Sequence, residues 1–419
     1  MLDPDFIRQN PEKVRQGAAS KGADPSLVDK WLKTDEERRS LIGQVDQLRA
    51  ERNRFTKELQ AGETAPSEKK LSRGRELKEK IRILENRLAL VSGEWERLLR
   101  DIPALPEEDV PAGKDETENV VVRKWGSPTR FNFKPRDHLE LGERLGLIDV
   151  KRAGKVSGSR FGYLTGDLVL LEFALMQFGL EVTTGEGFIP VLPPVMIKKE
   201  MEAGLGYGEH GGWEDMYILD KDNLVLVATA EHSLVARYAE ETFDEKLLPR
   251  RYVGFSTCFR REAGSYGKDT RGILRLHQFN KLEMVSFTRP EDSRREHKYL
   301  IEIEEKLMRA LQIPYRVVKM CTGDLGHPAA SKFDIEAWMP GQNKYRETHS
   351  CSNCTDYQSR RLNIRFRRQG GSEYVHILNG TVFSERPLIA VLENYQQEDG
   401  SVVIPEVLRR WVGKDKIMG

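Results

Sequence analysis

Residues 258–285 read CFRREAGSYGKDTRGILRLHQFNKLEMV, a stretch dense in groups that bind phosphates and amines. Strand alternation over 273–285 puts Arg275, His277, Phe279, Lys281 and Glu283 on one face. Leu274, Leu276, Leu282 and Met284 fall on the other, with Gln278 and Asn280 between them. Arg260 and Glu262 share a face of the preceding strand. The connection SYGKDTRG (265–272) is polar and glycine-containing, which predicts an exposed, mobile loop. On such a hairpin an arginine can pair with a phosphate, a flat ring can stack on a purine, and a carboxylate can take an amine or a hydroxyl. Singly, these residues also suit an ion-pair-rich sheet surface. Together they favour a ligand face. The chain has no glycine-rich phosphate loop of the Walker or dinucleotide kind, so a bound nucleotide would be held by side chains.

The elements that must position this face alternate between helical and strand signals from about residue 115 onward. Residues 166–180 predict a helix with Leu168, Leu171, Leu175 and Phe178 on one face. Strand patterns occur at 188–192, 225–228, 252–257, 273–286, 315–320, 333–338, 362–367 and 374–378. Short hairpin-like connections outnumber β-helix-β alternation, so the fold class is α+β with a largely antiparallel sheet flanked by helices. The first 100 residues differ. After one or two short helices in 2–20, Leu77, Ile81, Leu84, Leu88, Val91, Trp95 and Leu98 recur at spacings of 4, 3, 4, 3, 4 and 3. That is a heptad stripe. Leu41, Val45, Leu48, Phe55 and Leu59 keep the same register, and AGETAPS (61–67) separates the two stretches. The prediction is an antiparallel helical hairpin of about 45–50 Å, ended by the proline-rich DIPALPEEDVPAGK (101–114). Domain limits are placed at 1–102 for the arm and 115–419 for the second domain. The arm concentrates Arg49, Arg52, Arg54, Lys57, Lys69, Lys70, Arg73, Arg75, Lys78, Lys80 and Arg82 toward its tip, among glutamates. They suit either a solvated coiled coil or a phosphate-binding surface.

Composition bounds the function class. The 419 residues are 38% hydrophobic and 32% charged, with a net charge of +1. A near-neutral chain lacks a whole-molecule field for nucleic acid, though a local basic patch remains open. No apolar run is read as long enough to cross a bilayer, and the charged start MLDPDFIRQNPEKV lacks a secretion core, so the expectation is a cytoplasmic protein with no membrane partner. Cys258, Cys321, Cys351 and Cys354 are too few for a disulfide scaffold. The CSNC at 351–354 has C-x-x-C spacing, but no second close pair completes a zinc site, and its flanks do not suit a thioredoxin-type turn. Free thiols are the expectation.

Arg260, Glu262 and HQFNKLEMV resemble motif 2 of class II aminoacyl-tRNA synthetases, and the wording FRREAGSYGKDTRGILRLHQF resembles the bacterial type of the seryl-tRNA synthetase family. MLDPDFIRQNPEKV, LGLIDVKRAGKVSGSRFGYLTGD, LVATAEHSL, CTGDLG, YRETHSCSNCTDYQSRRLNIRF and VLENYQQEDGSVVIPEVLRRW extend the resemblance over nearly the whole chain. It implies an N-terminal tRNA-binding arm and a class II catalytic domain. The implied reaction activates L-serine with ATP to seryl-adenylate and then esterifies the 3′ end of tRNA-Ser, with tRNA-Sec also accepted where a host has it. By the same resemblance Arg260 meets the α-phosphate, Arg261 and Glu262 lie in the ATP site, and Phe279 stacks on adenine. Thr229, Ala230 and Glu231 match the serine-binding TAE segment, joined by Glu283, Arg260, Asn379 and Thr381.

Glu347, Thr348, His349 and Ser350 match the metal- and ATP-binding run usually worded Glu-Ile-Ser-Ser, with Glu347 and Ser350 as the implied Mg²⁺ ligands. His349 departs from that wording and is read as a tolerated variation. Arg386 matches the γ-phosphate arginine of motif 3, so Arg260, Arg386 and Glu347 form the implied catalytic set. NGTVFSER (379–386) is one residue shorter than the family's usual spacing, and Thr381 stands in place of a serine. The helix around 168–180 and the strand ending in Pro193-Pro194 match motif 1, which implies a homodimer. The arm is implied to embrace the long variable arm of the tRNA, with no role for DNA. Two other readings are a ligase that passes the amino acid to a carrier protein, against which the intact heptads argue, and a non-catalytic tRNA-binding paralogue, against which Arg260, Glu283, Glu347 and Arg386 argue.

Overall fold

The heptad stripes fold into a helical hairpin in the computed structural model, which describes all residues except 61–66, 209–211, 264–268, 270 and 419. The chain divides into two units, Leu2–Pro103 and Ala104–Gly419, the second with Met1. In the first unit, α1 (Pro4–Gln9) and α2 (Pro11–Ser20) each open on a proline, whose missing N–H costs nothing at a helix start. They lead into α3 (Ser26–Gln60), which pairs with α4 (Glu68–Asp101). At about 1.5 Å per residue each long helix spans roughly 50 Å. Leu41, Val45, Phe55, Leu77, Ile81, Val91 and Leu98 are buried along the seam, and Leu48, Leu59, Leu84, Leu88 and Trp95 are half-buried. Arg49–Glu85 at 2.7 Å, Arg73–Glu51 at 3.1 Å and Arg87–Glu37 at 2.6 Å tie the helices across that seam. At the base, burial alone would raise the Asp35 carboxyl, but Arg8 and Trp95 hold it below its ordinary value. Arg8 donates to it at 2.8 and 2.9 Å and the Trp95 indole at 2.9 Å. Residues 61–66 of the expected turn lie outside the described residues.

The second unit is built on eight strands: β1 (Val120–Trp125), β2 (Ile189–Val191), β3 (Arg250–Phe259), β4 (Gln278–Thr288), β5 (Tyr315–Lys319), β6 (Ser331–Met339), β7 (Lys344–Asn353) and β8 (His376–Phe383). Their spatial order is β1-β5-β6-β7-β8-β4-β3-β2, antiparallel throughout except β2 with β3. On one face, Leu282, Met284, Leu378, Val382, Ile335 and Ala337 form a core with α5 (Asp167–Gly185), and two further helices join it. The others are α7 (Ser293–Ala310) and α9 (Glu385–Asn394); on the opposite face α6 (Ala230–Ala236) covers one end of the sheet and α8 (Tyr357–Leu362) lies nearby. There Tyr252, Val285, Phe287 and Ile377 pack with Leu234, Val235 and Leu362. The rest of that face stays polar. At Gly179 of α5 an added Cβ would meet Val382 Cγ1 at 2.6 Å and Leu282 Cδ2 at 2.9 Å, so helix and sheet touch almost backbone to side chain.

Three sequence expectations change. The strand drawn over 273–286 begins only at Gln278, and β3 ends at Phe259, so Arg260 and Glu262 lie beyond it. The backbone leaves the extended form on both sides: Glu262 takes φ +54, and Gly272 at φ +74 sits where a Cβ would strike the His138 ring. Residues 362–367 split into the end of α8 and a short strand, Arg365–Arg368. Finally, α5 is long and apolar enough to cross a membrane by length and composition, and half of it is buried inside the fold.

Candidate active site

Cross-strand register assembles the polar face. Glu283, at the middle of β4, stands directly opposite Thr381 on β8 and Gly254 on β3. Cys351 pairs with Gly380 and Ser352 with Asn379, while Ser350 faces Asp334 and Ser352 faces Lys332 across β6. Period-two alternation therefore brings Lys281, Glu283, Asn379, Thr381, Ser350, Asp334 and Lys332 to one side, opposite the apolar core. Glu283 is buried, with Lys281 Nζ at 2.5 Å. Burial pushes its carboxyl up, Lys281 and Arg260 pull it down, and the nearby Glu231 adds to the rise. Asn379 is buried, and its Nδ2 has no hydrogen-bond partner among the described residues.

The TAE segment meets this face at the start of α6. Thr229 caps the helix and accepts the Glu231 N–H at 3.3 Å, and Ala230 is its first residue. Both Glu231 oxygens accept from the Tyr207 hydroxyl at 3.0 Å, and Gln358 Nε2 of α8 donates to one of them at 2.8 Å. Arg260 crosses from the other side. Its Nε donates to the Ala228 carbonyl at 3.3 Å and its guanidinium lies 5.1 Å from the centroid of the half-buried Phe279 ring. Its backbone is fixed by paired bonds with His277, each 3.0 Å. Arg261 turns elsewhere, onto the Met216 carbonyl at 2.9 Å and the Tyr217 ring at 4.9 Å. Glu262 accepts from Arg275 at 2.7 Å. Of the connecting loop, 264–268 and 270 lie outside the described residues.

A register shift in the β6–β7 ladder brings Glu347 and Ser350 together. Ile335 pairs with His349 but Glu336 pairs with Glu347, so Thr348 is the extra residue of a bulge. Strict alternation would send residues three apart to opposite faces; the bulge returns them to one. Arg386, at the start of α9, reaches Glu347 Oε2 at 2.9 Å and the Glu347 carbonyl at 3.3 Å. Desolvation works against the charge on Glu347, but Arg386, Lys332 and Arg260 hold its carboxyl low. Asp334 goes the other way: burial pushes it up, Lys332 opposes, and Glu347 adds. Thr348 donates to the Ile335 carbonyl at 3.1 Å. His349 is buried, with Nε2 on the Val382 carbonyl at 3.1 Å and its ring against Phe383 on the core side. Burial pushes that imidazole down to about 3.

Sequence reasoning missed Lys332, Asp334, Tyr207 and Gln358 as members of this neighbourhood. Lys332 and Asp334 carried a faint signal, alternating with Phe333 and Ile335; Tyr207 and Gln358 carried none. The four cysteines are buried and none is in a disulfide, and among the described residues no group of three His, Cys, Asp or Glu side chains is placed to hold a metal ion. Glu347 and Ser350 supply two hard oxygen donors on one face. That fits a cation that completes its shell with phosphate oxygens and water, as Mg²⁺ does.

Residues 217–395 match the tRNA synthetase class II core domain (G, H, P, S and T), and residues 1–106 match the seryl-tRNA synthetase N-terminal domain. The chain is similar to the serine–tRNA ligase of Acidothermus cellulolyticus, at 47% identity over 419 residues and 99% of both chains. The crystal structure of seryl-tRNA synthetase from Pyrococcus horikoshii complexed with ATP superposes with a TM-score of 0.94 at 42% identity, covering 100% of this chain and 99% of that one. The cytoplasmic serine–tRNA ligase of Naegleria fowleri in complex with AMP gives 0.89 at 34% identity, covering 100% and 98%.

Proposed function

The chain belongs to the seryl-tRNA synthetase family, and from that premise we propose that it activates L-serine with ATP and transfers it to the 3′ end of tRNA-Ser. The observation that carries this is the convergence of Arg260, Phe279, Glu283, Glu347 and Arg386 on one polar sheet face. Phe279 offers its half-exposed ring to adenine, and Arg260, which already covers that ring, lies at the α-phosphate. A serine carboxylate oxygen attacks the α-phosphorus, the bond to the bridging oxygen breaks, and pyrophosphate leaves. Arg260 neutralises charge that grows on the α-phosphate in that transition state, and its carbonyl and ring contacts pre-set its position. Arg386, clamped on Glu347, serves the γ-phosphate. Glu347 and Ser350 would hold Mg²⁺, whose charge offsets that of the phosphates. Arg261 and Glu262 extend the ATP site at its rim, while Thr348 and His349 support the bulge behind it.

Serine recognition falls to the opposite end of the same face. Glu231 takes the ammonium group, Glu283 the hydroxyl, and Asn379 and Thr381 close the site, with the free Nδ2 of Asn379 as a donor. An analogue lacking the hydroxyl would forfeit that bond to the buried Glu283 and leave Lys281 as its remaining partner, which disfavours alanine. In the second step a ribose hydroxyl of the tRNA attacks the seryl carbonyl and AMP leaves. The exposed cations of the helical hairpin suit the backbone of a long variable arm, read by shape. We place the enzyme in the cytoplasm as a homodimer. Its contact face would include Leu170, Phe173, Ile189 and Leu192, all exposed apolar residues on α5 and the segment after it. By the same chemistry tRNA-Sec, which carries a serine intermediate, is a further substrate where present. Serine-dependent ATP–pyrophosphate exchange tests the reading: exchange with serine and none with alanine supports it, and no exchange with any amino acid overturns it.

A further inference from the structure

Arg386 reaches Glu347 from the first turn of α9, only three residues past the end of β8. Pairing of β8 with β4 ends at Phe383 and Leu282. Beyond that point the backbone N–H of Asn280 faces no strand. Glu385, the first residue of α9, turns its side chain back and accepts that N–H through Oε1 at 2.5 Å. Asn280 is itself pinned on two other sides. Its Nδ2 donates to Glu172 Oε1 of α5 at 2.9 Å, and its Oδ1 accepts from the Thr257 hydroxyl of β3 at 3.0 Å. Glu385 is buried, and Ser384 before it makes no side-chain cap. The start of α9 is thus moored to the sheet through Glu385, one residue from the guanidinium that grips Glu347.

We propose that Glu385 is a positioning residue for Arg386: its carboxyl continues the hydrogen bonding of the sheet past Phe383, caps Asn280 and fixes the angle at which α9 presents the arginine. The inference rests on Arg386 serving ATP, as argued above. Its surroundings favour a neutral acid, because burial pushes the Glu385 carboxyl well up and Glu172 adds to the rise. Glutamine therefore matches it in shape and charge.

The test is a double-mutant cycle on the full-length protein, read both by exchange kinetics and by calorimetric ATP binding. Glu385→Ala is expected to raise the KM for ATP about tenfold while the KM for serine stays within about twofold. Glu385→Gln is expected to recover ATP affinity to within about threefold of the parent. Because Glu385 acts through Arg386, the double variant Glu385→Ala/Arg386→Ala should be no worse than Arg386→Ala alone. Additive losses in the double variant, equal losses for serine and ATP, or an unchanged Glu385→Ala would overturn the proposal. If alanine prevents folding, Glu385→Leu takes its place in the cycle. A parent that shows no exchange defeats the functional reading, whereas the calorimetric cycle still decides the positioning role.

Discussion

In the proposed reaction Arg260 is a side chain that the fold holds still before any substrate arrives. Its guanidinium is held between the Ala228 carbonyl and the Phe279 ring, so little reorganisation remains when a phosphate arrives. Arg260→Ala is expected to lower serine-dependent exchange by two to three orders of magnitude, roughly the worth of one pre-set transition-state donor. A melting temperature unchanged from the parent would accompany that loss; an unfolded variant would make the residue structural instead. Glu304 of α7 illustrates the opposite case, a buried acid outside the reaction. It lies in the core beneath Gly380, where burial pushes its carboxyl well above the ordinary value and Glu283 and Asp334 add to the rise. The folded chain therefore keeps a proton that the unfolded chain releases. Stability from this group is full at low pH and is lost as pH climbs past the ordinary carboxyl value of 4.5. Glu304→Gln is expected to stabilise the protein by about 1 kcal/mol or more at pH 8, with the gain vanishing near pH 4. Denaturant titrations at the two pH values check it, and a gain of equal size at both would count against the protonated acid. At this scale the sequence revealed Glu283 and Phe279 through plain alternation. It concealed the shared face of Glu347 and Ser350, because a bulge has no period.

Elements place those side chains, and their spacing was legible where one periodicity ran without interruption. The heptads of α3 and α4 and the apolar face of α5 were readable for that reason. The strand expected over 273–277 was not real, although Leu274 and Leu276 are buried in the core as alternation required. Local pattern reports which residues go inward, not whether the backbone is extended, and here the packing of Gly272 on His138 decides the path. The close approach of α5 to the sheet gives a direct test. Gly179→Ala gains helix propensity, yet its methyl would collide with Val382, Leu282 and Phe383. Overpacking should win, with a net loss of about 1–3 kcal/mol in chemical denaturation. A stabilised variant would show that α5 can move away from β8 and β4 at little cost.

The whole molecule has a net charge of only +1, which hides how its cations are distributed. Arg49, Arg73 and Arg82 are engaged by glutamates, whereas Arg54, Lys57, Lys69, Lys70 and Arg75 are exposed toward the tip of the helical hairpin. Sequence composition could not separate these two groups, because the pairs of Arg49 and Arg73 depend on which helix faces which. Replacing those five exposed residues with glutamine is expected to raise the KM for tRNA at least about tenfold and to flatten its salt dependence. Exchange without tRNA should be unaffected, and an unaltered tRNA KM would remove the hairpin from recognition. Most of the proposal, however, depends on one shared cavity for nucleotide and amino acid. Its most direct test is a crystal structure of the protein with a non-hydrolysable seryl-adenylate analogue. The expected result places the phosphate mimic on Arg260, the adenine on Phe279 and the seryl hydroxyl on Glu283. Arg260 and Glu283 directed into separate cavities, with the analogue touching only one of them, would contradict it.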